Sequence, residues 1–282
     1  MSNEIVKGAL YVVATPIGNL MDLSDRAKKV LSEVDFIAAE DTRVTGKLLM
    51  LIGVKKPLVS YHEHNKREKG EEIIARLKKG ESCAIVSDAG TPAISDPGED
   101  LVRLCASENI ITFAVPGPCA AISALSISGL TTGRFSFEGF LSTNKSERRS
   151  HLEEVKTSPY TLIFYEAPHK LRDTLSAMLS VLGDRRISLV RELTKTHEEV
   201  IRTTISNAIE YYAEKSPKGE YVLVIEGCKK EDVKPFWQDL DEVSHVEYYL
   251  EKGLERMDAI KAVAKDRGVS KSTIYKKWNE KR

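Results

Sequence analysis

The chain of 282 residues lacks a net charge, a pair of closely spaced cysteines and a long apolar run. Its 42 Lys and Arg balance 42 Asp and Glu, so nucleic-acid contacts can come only from local basic patches. The four cysteines form no CxxC pair, which favours reduced thiols over a disulfide framework and predicts no metal site. With neither a membrane-spanning stretch nor a signal-peptide cleavage pattern at its start, the sequence predicts a cytoplasmic protein without membrane contacts.

Two common nucleotide-binding motifs are also absent. The dinucleotide fingerprint needs three glycines after a strand, whereas Gly18 stands alone in the turn that follows the predicted strand at residues 10–14. No GxxxxGK[ST] motif supplies the lysine of a phosphate-binding loop. The sequence therefore predicts neither kind of phosphate-binding turn.

The most informative stretch that is present is AIVSDAGTPAISDPGEDL, at residues 84–101. A buried strand over residues 83–86 is predicted to run into a rigid turn-rich loop and then a helix, with Asp96 as N-cap and Pro97 as first helical residue. The loop carries Asp88 and Asp96 but no Lys or Arg, so we expect a ligand with hydroxyls or a cationic centre. A well-capped loop that binds nothing is the alternative.

Strands and helices alternate along the chain, which predicts an α/β fold. We expect an N-terminal α/β domain with a mainly parallel sheet over residues 1–132, a second α/β domain over 133–228 and a helical tail over 229–282. Residues 142–149 are predicted to form a polar, basic connection. Two α/β lobes with ligand-type loops predict a cofactor cleft between them.

Charged and polar residues follow several predicted strands. Carboxyl ends of neighbouring parallel strands meet at one edge of a sheet, so these residues are candidates for binding or catalysis. One such stretch, HEHN at residues 62–65, has two histidines at i and i+2 with no third His or Cys nearby. It predicts a polar loop rather than a metal site.

The two halves of the tail carry opposite net charges. Residues 231–255 hold eight acids and two bases, whereas residues 256–282 hold nine bases and three acids. The last part of the tail is predicted to form a helix, a Gly turn and a Ser-capped helix, which is the order of elements in a helix-turn-helix motif. The last helix is basic and aromatic, which predicts nucleic-acid contact. The alternative is a helical hairpin packed on the body. The basic and aromatic residues of the last helix are Lys271, Tyr275, Lys276, Lys277 and Trp278.

Eight ordered sequence blocks within about residues 8 to 228 resemble the ribosomal RNA small subunit methyltransferase I family. These blocks are YVVATPIGNLMDLSDRA, AAEDTR, SYHEHN, SDAGTPAISDPG, PGPCAAISAL, FYEAPHKL, VRELTKTHEE and KGEYVLVIEG. Cys119 replaces the Ser of the commoner PGPSA form, a change between small residues. The resemblance implies a tetrapyrrole methylase-like fold, S-adenosylmethionine in the cleft, and methylation of a cytidine ribose 2'-hydroxyl in 16S ribosomal RNA. It also implies a homodimer, and leaves open whether free RNA or the assembled 30S subunit is the substrate.

The resemblance implies the cofactor-binding residues, whereas strand-end positions and basic runs supply the candidates for catalysis and RNA contact. Predicted cofactor-binding residues are Pro16, Asp88, Ala89, Gly90, Ile94, Pro116, Gly117, Ala120, Tyr165, Glu166, Gly219 and Glu220. A general base is not identified, and the strand-end candidates are Glu40, Asp41, His62, Glu166, Arg191, Glu192 and Lys195. RNA contacts are expected from Arg43, Lys145, Arg148, Arg149, Lys271, Lys276 and Lys277.

Two other functions stay open. One is a methyltransferase of the same superfamily that acts on a tetrapyrrole or another small substrate. The other is a nucleic-acid-binding regulator whose α/β body senses a ligand while the tail binds DNA. The sequence favours RNA methylation, because ATPIGNL and DAGTPAISDPG match the RNA branch and a basic tail has no evident use with a corrinoid.

Overall fold

The computed structural model describes residues 4–229 and 236–280. The chain divides into two compact units, Met1–Gly227 and Cys228–Arg282, each with a hydrophobic core of its own. Residues 231–235 of the predicted acidic segment lie outside the described residues.

The first unit begins with a parallel sheet in the order β3-β2-β4-β1-β5. Its strands are β1 (Leu10–Val13), β2 (Phe36–Ala39), β3 (Leu58–Ser60), β4 (Cys83–Val86) and β5 (Thr112–Val115). Its helices are α1 (Asp25–Glu33), α2 (Thr42–Leu51), α3 (Lys66–Lys78), α4 (Gly98–Ser107) and α5 (Ala120–Ile127). Strands β2 and β4 are buried along their whole length, as expected for inner strands covered on both faces.

Two helix starts differ from the sequence prediction because of capping. The sequence predicts a helix over residues 46–52, but this helix, α2, begins at Thr42 because the Asp41 carboxylate accepts the Arg43 backbone N–H. Helix α4 begins at Gly98, one residue later than predicted. Asp96 still caps this helix chemically, since its Oδ1 accepts the Gly98 N–H at 2.7 Å.

The second sheet also lies in the first unit and is mixed, in the order β6-β7-β10-β8-β9. Its strands are β6 (Phe135–Phe140), β7 (Thr161–Glu166), β8 (Arg186–Arg191), β9 (Glu199–Thr204) and β10 (Tyr221–Ile225). Its helices are α6 (Lys145–Val155), α7 (Leu171–Leu182) and α8 (Ile205–Glu214). Although β10 comes last along the chain, it is fully buried in the middle of the sheet, antiparallel to β7 and β8.

Strand β6 and helix α6 are missing from the sequence prediction. Residues 142–149, predicted as a polar connection, contain the start of α6, whose N-cap Asn144 accepts the backbone N–H of Ser146 at 2.9 Å. Most residues of α6 are exposed and polar, and its buried face holds only Arg148 and Leu152, so the apolar period is too weak to reveal a helix. The boundary predicted between residues 132 and 133 falls between α5 and β6 and stays a proposal.

The second unit contains α9 (Glu242–Glu251), α10 (Arg256–Arg267) and α11 (Lys271–Glu280). Gly268 ends α10 in the left-handed conformation, with φ +63°, which fits the predicted helix, Gly turn and helix. Apolar side chains from all three helices form one cluster, in which Trp278 is 1% exposed. The predicted nucleic-acid contact of Trp278 is therefore wrong, because its side chain is part of the core of this unit.

Candidate active site

Three loops at the carboxyl ends of β1, β4 and β5 are hydrogen-bonded to one another. The Thr15 N–H donates to the Gly90 carbonyl at 2.8 Å, and the Gly90 N–H returns a bond to the Thr15 carbonyl at 3.1 Å. The Thr91 hydroxyl donates to the Pro118 carbonyl at 2.9 Å. Gly90 has φ +86°, and a Cβ there would lie 3.3 Å from Ile17 Cγ2, so this position requires glycine.

A cavity of about 710 Å³ lies between these loops and the second sheet, a volume in the usual range of small-molecule sites. The second sheet contributes apolar side chains such as Phe140, Val190 and Val222. Tyr165 connects the two sides of this cleft, because its hydroxyl accepts the backbone N–H of Ala121 at 3.1 Å. The cleft predicted between the two lobes is therefore present in the structure.

The first-sheet side of the cleft is acidic. Glu40, Asp88 and Asp96 line it, and the Asp88 carboxylate accepts the Asp41 backbone N–H at 3.1 Å. Burial, reinforced by the charges of Asp88 and Asp96, raises the pKa of Glu40 above its ordinary value. Burial also raises the pKa of Asp96, against the lowering effect of backbone hydrogen bonds. Carboxylates held this close favour a cationic ligand.

Backbone strain is concentrated around the cleft. Of the five non-glycine residues with positive φ among the described residues, four lie in two loops beside the cavity. Ala93 and Ser95 belong to the β4–α4 loop, and Glu192 and Thr194 to the β8–β9 loop. Such strain persists only where surrounding contacts hold the backbone, and it is common at ligand-binding sites.

Lys195 lies on the second-sheet side as a paired ammonium. Its Nζ is 2.9 Å from Glu192 Oε1 and 2.8 Å from Glu220 Oε2. Burial lowers the pKa of Lys195, but hydrogen bonds to the two carboxylates outweigh burial, so the pKa lies above its ordinary value. Lys195 and Glu192 are therefore held as an ion pair, which argues against either being the general base.

Glu166 is a buried, fully satisfied carboxylate. It is 2% exposed, its Oε1 accepts the Ala167 N–H at 2.8 Å, and its Oε2 accepts the Thr174 hydroxyl. The Lys170 ammonium lies 3.7 Å from Oε1. These contacts assign Glu166 to holding the loop after β7 rather than to proton transfer.

Three other candidate bases lie outside the cavity lining. Asp41 is bound by the Arg43 guanidinium and backbone N–H, which hold the Asp41 pKa well below its usual range. Arg191 Nε donates to Glu199 Oε2 at 3.1 Å. His62 is half-buried in the loop after β3. Two criteria separate the seven candidates: whether the side chain lines the cavity, and whether it is a carboxylate without an ion pair. Among the described residues, Glu40 is the one candidate that meets both.

Comparison with known proteins agrees with this architecture. Residues 9–209 match the family described as Tetrapyrrole (Corrin/Porphyrin) Methylases. The chain is 50% identical over 276 residues to the ribosomal RNA small subunit methyltransferase I of Halalkalibacterium halodurans, covering 97% of this chain and 96% of that protein. The protein of the same name from Bacillus subtilis is 48% identical over 277 residues, covering 97% and 95%. The chain belongs to the ribosomal RNA small subunit methyltransferase I family. The family predicted from the eight sequence blocks is thereby confirmed.

A solved structure supports the fold of this methyltransferase family member. Uroporphyrin-III-C-methyltransferase from Thermus thermophilus superposes with a TM-score of 0.54 at 20% identity, covering 78% of this chain and 94% of that one. At this identity the likeness extends to the fold alone. The predicted α/β fold with two sheets and C-terminal helices is confirmed.

The cavity lining includes eight of the twelve predicted cofactor residues: Asp88, Ala89, Gly90, Ile94, Ala120, Tyr165, Glu166 and Glu220. It does not include Pro16, Pro116, Gly117 and Gly219. Two of these are needed for close packing instead. A Cβ on Gly117 would lie 2.9 Å from Ala14 Cβ, and one on Gly219 would lie 2.5 Å from Glu192.

Sequence reasoning missed several lining residues on the second-sheet side. Phe140 ends β6, the strand that was not predicted, so no signal pointed to it. Val190, Leu193 and Val222 resemble ordinary core residues in the sequence. His169 was visible within FYEAPHKL at the end of a predicted strand, and its position was the signal that could have identified it.

The predicted RNA-binding residues differ in exposure. Lys145 and Arg149 are exposed on α6, and the Arg43 side chain is 86% exposed. Arg148 is 7% exposed and one of its guanidinium nitrogens donates to the Ser142 carbonyl at 3.4 Å. It cannot reach RNA from this position, so we withdraw it from the predicted set. In the second unit, Lys271, Lys276 and Lys277 are all exposed, and Lys276 pairs with Glu280 and Lys277 with Glu242.

The raised pKa of Glu40 leads to a stability prediction. The folded chain disfavours the charged carboxylate, so ionisation costs stability at neutral pH, and this cost disappears as the pH falls below the pKa of an unfolded Glu, about 4.3. Glu40→Gln should therefore raise the melting temperature at pH 7.5, and the gain should vanish near pH 4.

Differential scanning fluorimetry across this pH range checks the prediction. Glu71→Gln is the matched control, since Glu71 is exposed on α3 and has no ion pair among the described residues. A lower melting temperature for Glu40→Gln at pH 7.5 would contradict the unfavourable ionisation of Glu40.

Proposed function

We propose that this chain transfers the methyl group of S-adenosylmethionine to the ribose 2'-hydroxyl of a cytidine in 16S ribosomal RNA. The observation that carries the proposal is the near full-length identity, at about half of all positions, with ribosomal RNA small subunit methyltransferase I from two bacteria. The acidic cleft supports it, because it offers the chemistry that this cofactor needs.

The residues of the cleft fit the cofactor. S-adenosylmethionine supplies an electrophilic methyl group on a sulfonium, and it also carries an ammonium and two ribose hydroxyls. Glu40, Asp88 and Asp96 offer carboxylate oxygens for these groups, and the Gly90 backbone leaves room for close approach. A phosphate-bearing cofactor would be repelled by the same side chains.

The chain's own contribution to the reaction is mainly positioning and exclusion of water. Loops fixed by the Thr15–Gly90 pair hold one reactant, and the apolar side chains of Ile17, Phe140 and Leu193 limit water around the reacting atoms. Correct orientation of two reactants can lower a barrier by roughly 7 to 11 kcal/mol. A desolvated cleft further favours the neutralisation of a sulfonium.

RNA contacts are proposed for two surfaces. On the first unit, Lys145 and Arg149 of α6 are exposed and can bind phosphates. On the second unit, α11 presents Lys271 and Lys276 together with Tyr275, which is 42% exposed. Trp278, the other aromatic residue of α11, is buried within that unit, so Tyr275 is the one that can stack on a base.

Two further sequence predictions stay predictions. Homodimerisation is implied by the family resemblance and is untested by a single chain. In the described part of the chain, no helix has the length and apolarity needed to cross a bilayer, and the predicted cytoplasmic location goes beyond this finding.

The proposed activity predicts methyl transfer to small-subunit RNA. Purified protein with radiolabelled S-adenosylmethionine should label either free 16S RNA or assembled 30S subunits, and nuclease digestion should release a 2'-O-methylated cytidine. Labelling of a tetrapyrrole instead would favour the small-substrate alternative. Binding of the cofactor and of DNA without any transfer would favour the regulator.

Gly90 provides a test of the cofactor site. Gly90→Val should weaken S-adenosylmethionine binding by about tenfold or more, because relief of about 1 to 2 kcal/mol of strain at φ +86° and of the contact with Ile17 displaces the loop that lines the cavity. Isothermal titration calorimetry measures the affinity.

Gly53→Val is the matched control for this variant. Gly53 has φ +71°, and a Cβ there has no atom within 4 Å, so it carries the same kind of backbone strain away from the cavity. Equal cofactor affinity in folded Gly90→Val and wild-type protein would contradict the proposed site.

The exposed bases of α6 predict a change in salt dependence. If Lys145 and Arg149 each contact one phosphate, Lys145→Glu with Arg149→Glu should weaken RNA binding and reduce the slope of log K against log salt by about 1.4. The control double variant replaces Lys55 and Lys79 by Glu, two exposed lysines without ion pairs among the described residues. An unchanged slope in fluorescence anisotropy titrations would show that this face of α6 contacts solvent and not RNA.

A further inference from the structure

We infer that His169 is the general base that removes the proton from the ribose 2'-hydroxyl. This inference rests on the function proposed above. A ribose hydroxyl is weakly acidic, so a positioned base accelerates its attack by about 10² to 10⁴. Such a base must lie in the cleft and must have a free lone pair.

The titratable side chains that line the cleft are Glu40, Asp88, Asp96, Cys119, Tyr165, Glu166, His169, Lys195, Glu220 and Tyr221. On the first-sheet side, Asp88 accepts the Asp41 N–H, and Asp96 accepts two backbone N–H groups. The Asp88 backbone N–H lowers the pKa of Glu40, but burial and the neighbouring carboxylates raise it overall. These three carboxylates form the acidic cluster that suits the cationic cofactor, so we assign them to binding.

On the second-sheet side, most titratable groups are already engaged. The Tyr165 hydroxyl accepts the Ala121 N–H, and burial raises the pKa of Tyr165 to about 12. Lys195 and Glu220 form an ion pair at 2.8 Å. Glu166 is buried, with both carboxylate oxygens hydrogen-bonded. Tyr165, Lys195 and Glu166 are therefore all engaged, and Glu220 is a carboxylate held beside the Lys195 ammonium.

His169 differs from all of them. It is exposed at the cavity, and within residues 4–229 and 236–280 neither ring nitrogen has a hydrogen-bond or ion-pair partner. Imidazole is the side chain that most often acts as a general base near neutral pH. The free ring therefore has the properties that the reaction requires.

The loop that carries His169 is held in place. The Ala167 N–H is bound by the Glu166 carboxylate, and the Lys170 N–H donates to the Ala167 carbonyl at 3.1 Å. Pro168 further limits the backbone of this turn. Glu166 is thus a positioning residue, since it acts on the reaction through the loop beneath His169.

The proton and electron balance is simple. The ribose oxygen forms its bond to the methyl carbon while the carbon–sulfur bond breaks, and the sulfur keeps the electron pair of that bond. The hydroxyl proton passes to an unprotonated ring nitrogen of His169. The resulting imidazolium then releases the proton to water, which has access because His169 is exposed.

The test compares His169→Gln with wild type in single-turnover methylation of the RNA substrate between pH 5.5 and 9. The rate constant should fall by about 10² to 10⁴ at pH 7.5, with calorimetric affinity for S-adenosylmethionine and RNA changed less than about twofold. The acid limb of the wild-type pH profile should disappear, and free imidazole should restore part of the rate. His197→Gln is the matched control, since His197 is exposed in the β8–β9 loop and does not line the cavity.

Each of the following outcomes would overturn the inference. An acid limb that persists in His169→Gln, or a rate loss below tenfold, shows that His169 is not the base. An acid limb lost in Glu40→Gln and kept in His169→Gln assigns the base to Glu40 instead. If wild-type protein forms no 2'-O-methylcytidine in ribosomal RNA, the proposed function fails and the inference fails with it. If wild type is active and His169→Gln equally so, the inference alone fails.

Discussion

The pair of backbone hydrogen bonds between Thr15 and Gly90 is the constraint on which the site depends. It joins two loops that are 75 residues apart in the chain, and Thr91 extends the connection to the loop after β5. Backbone groups make the two Thr15–Gly90 bonds, so these bonds need no side-chain partner, although Gly90 itself must stay glycine because of its φ of +86°. The acidic side chains of the cleft are therefore presented by a rigid surface, which lowers the entropy lost when a ligand binds.

The sequence predicts the first sheet well because local residue patterns determine its strands and helices. Short apolar strands bounded by Gly, Pro and Asp turns, and helices in between, define a parallel sheet without knowledge of tertiary contacts. Strand β6 escaped prediction because only one of its six residues is buried, and α6 because its polar residues outnumber its buried ones. In both elements the second sheet supplies the stabilising contacts, and these are not local in sequence.

The residues of the candidate site were likewise predictable where local sequence patterns determine them, and not where distant contacts do. Turn chemistry and resemblance point to Asp88, Gly90 and Tyr165, which the cavity brings together. The chemical state of a side chain depends on distant partners instead. Lys195 pairs with Glu192 three residues away, but its second partner, Glu220, reaches it only because β10 pairs with β8, and no local pattern contains that second contact.

The distribution of charge across the cleft suits a reaction between a cation and a neutral hydroxyl. Carboxylates on the first-sheet side attract positive charge, whereas each carboxylate near the second-sheet side is either buried or paired with a lysine. A proton acceptor placed among the unpaired carboxylates would compete with the cofactor for the same field. Separation of the two tasks on opposite sheets avoids that conflict, since binding of the cation then leaves the electrostatic surroundings of the imidazole largely unchanged. The cleft lies at strand ends of both sheets. The first sheet therefore supplies the carboxylates for the cofactor, and the second sheet supplies the loop that carries His169.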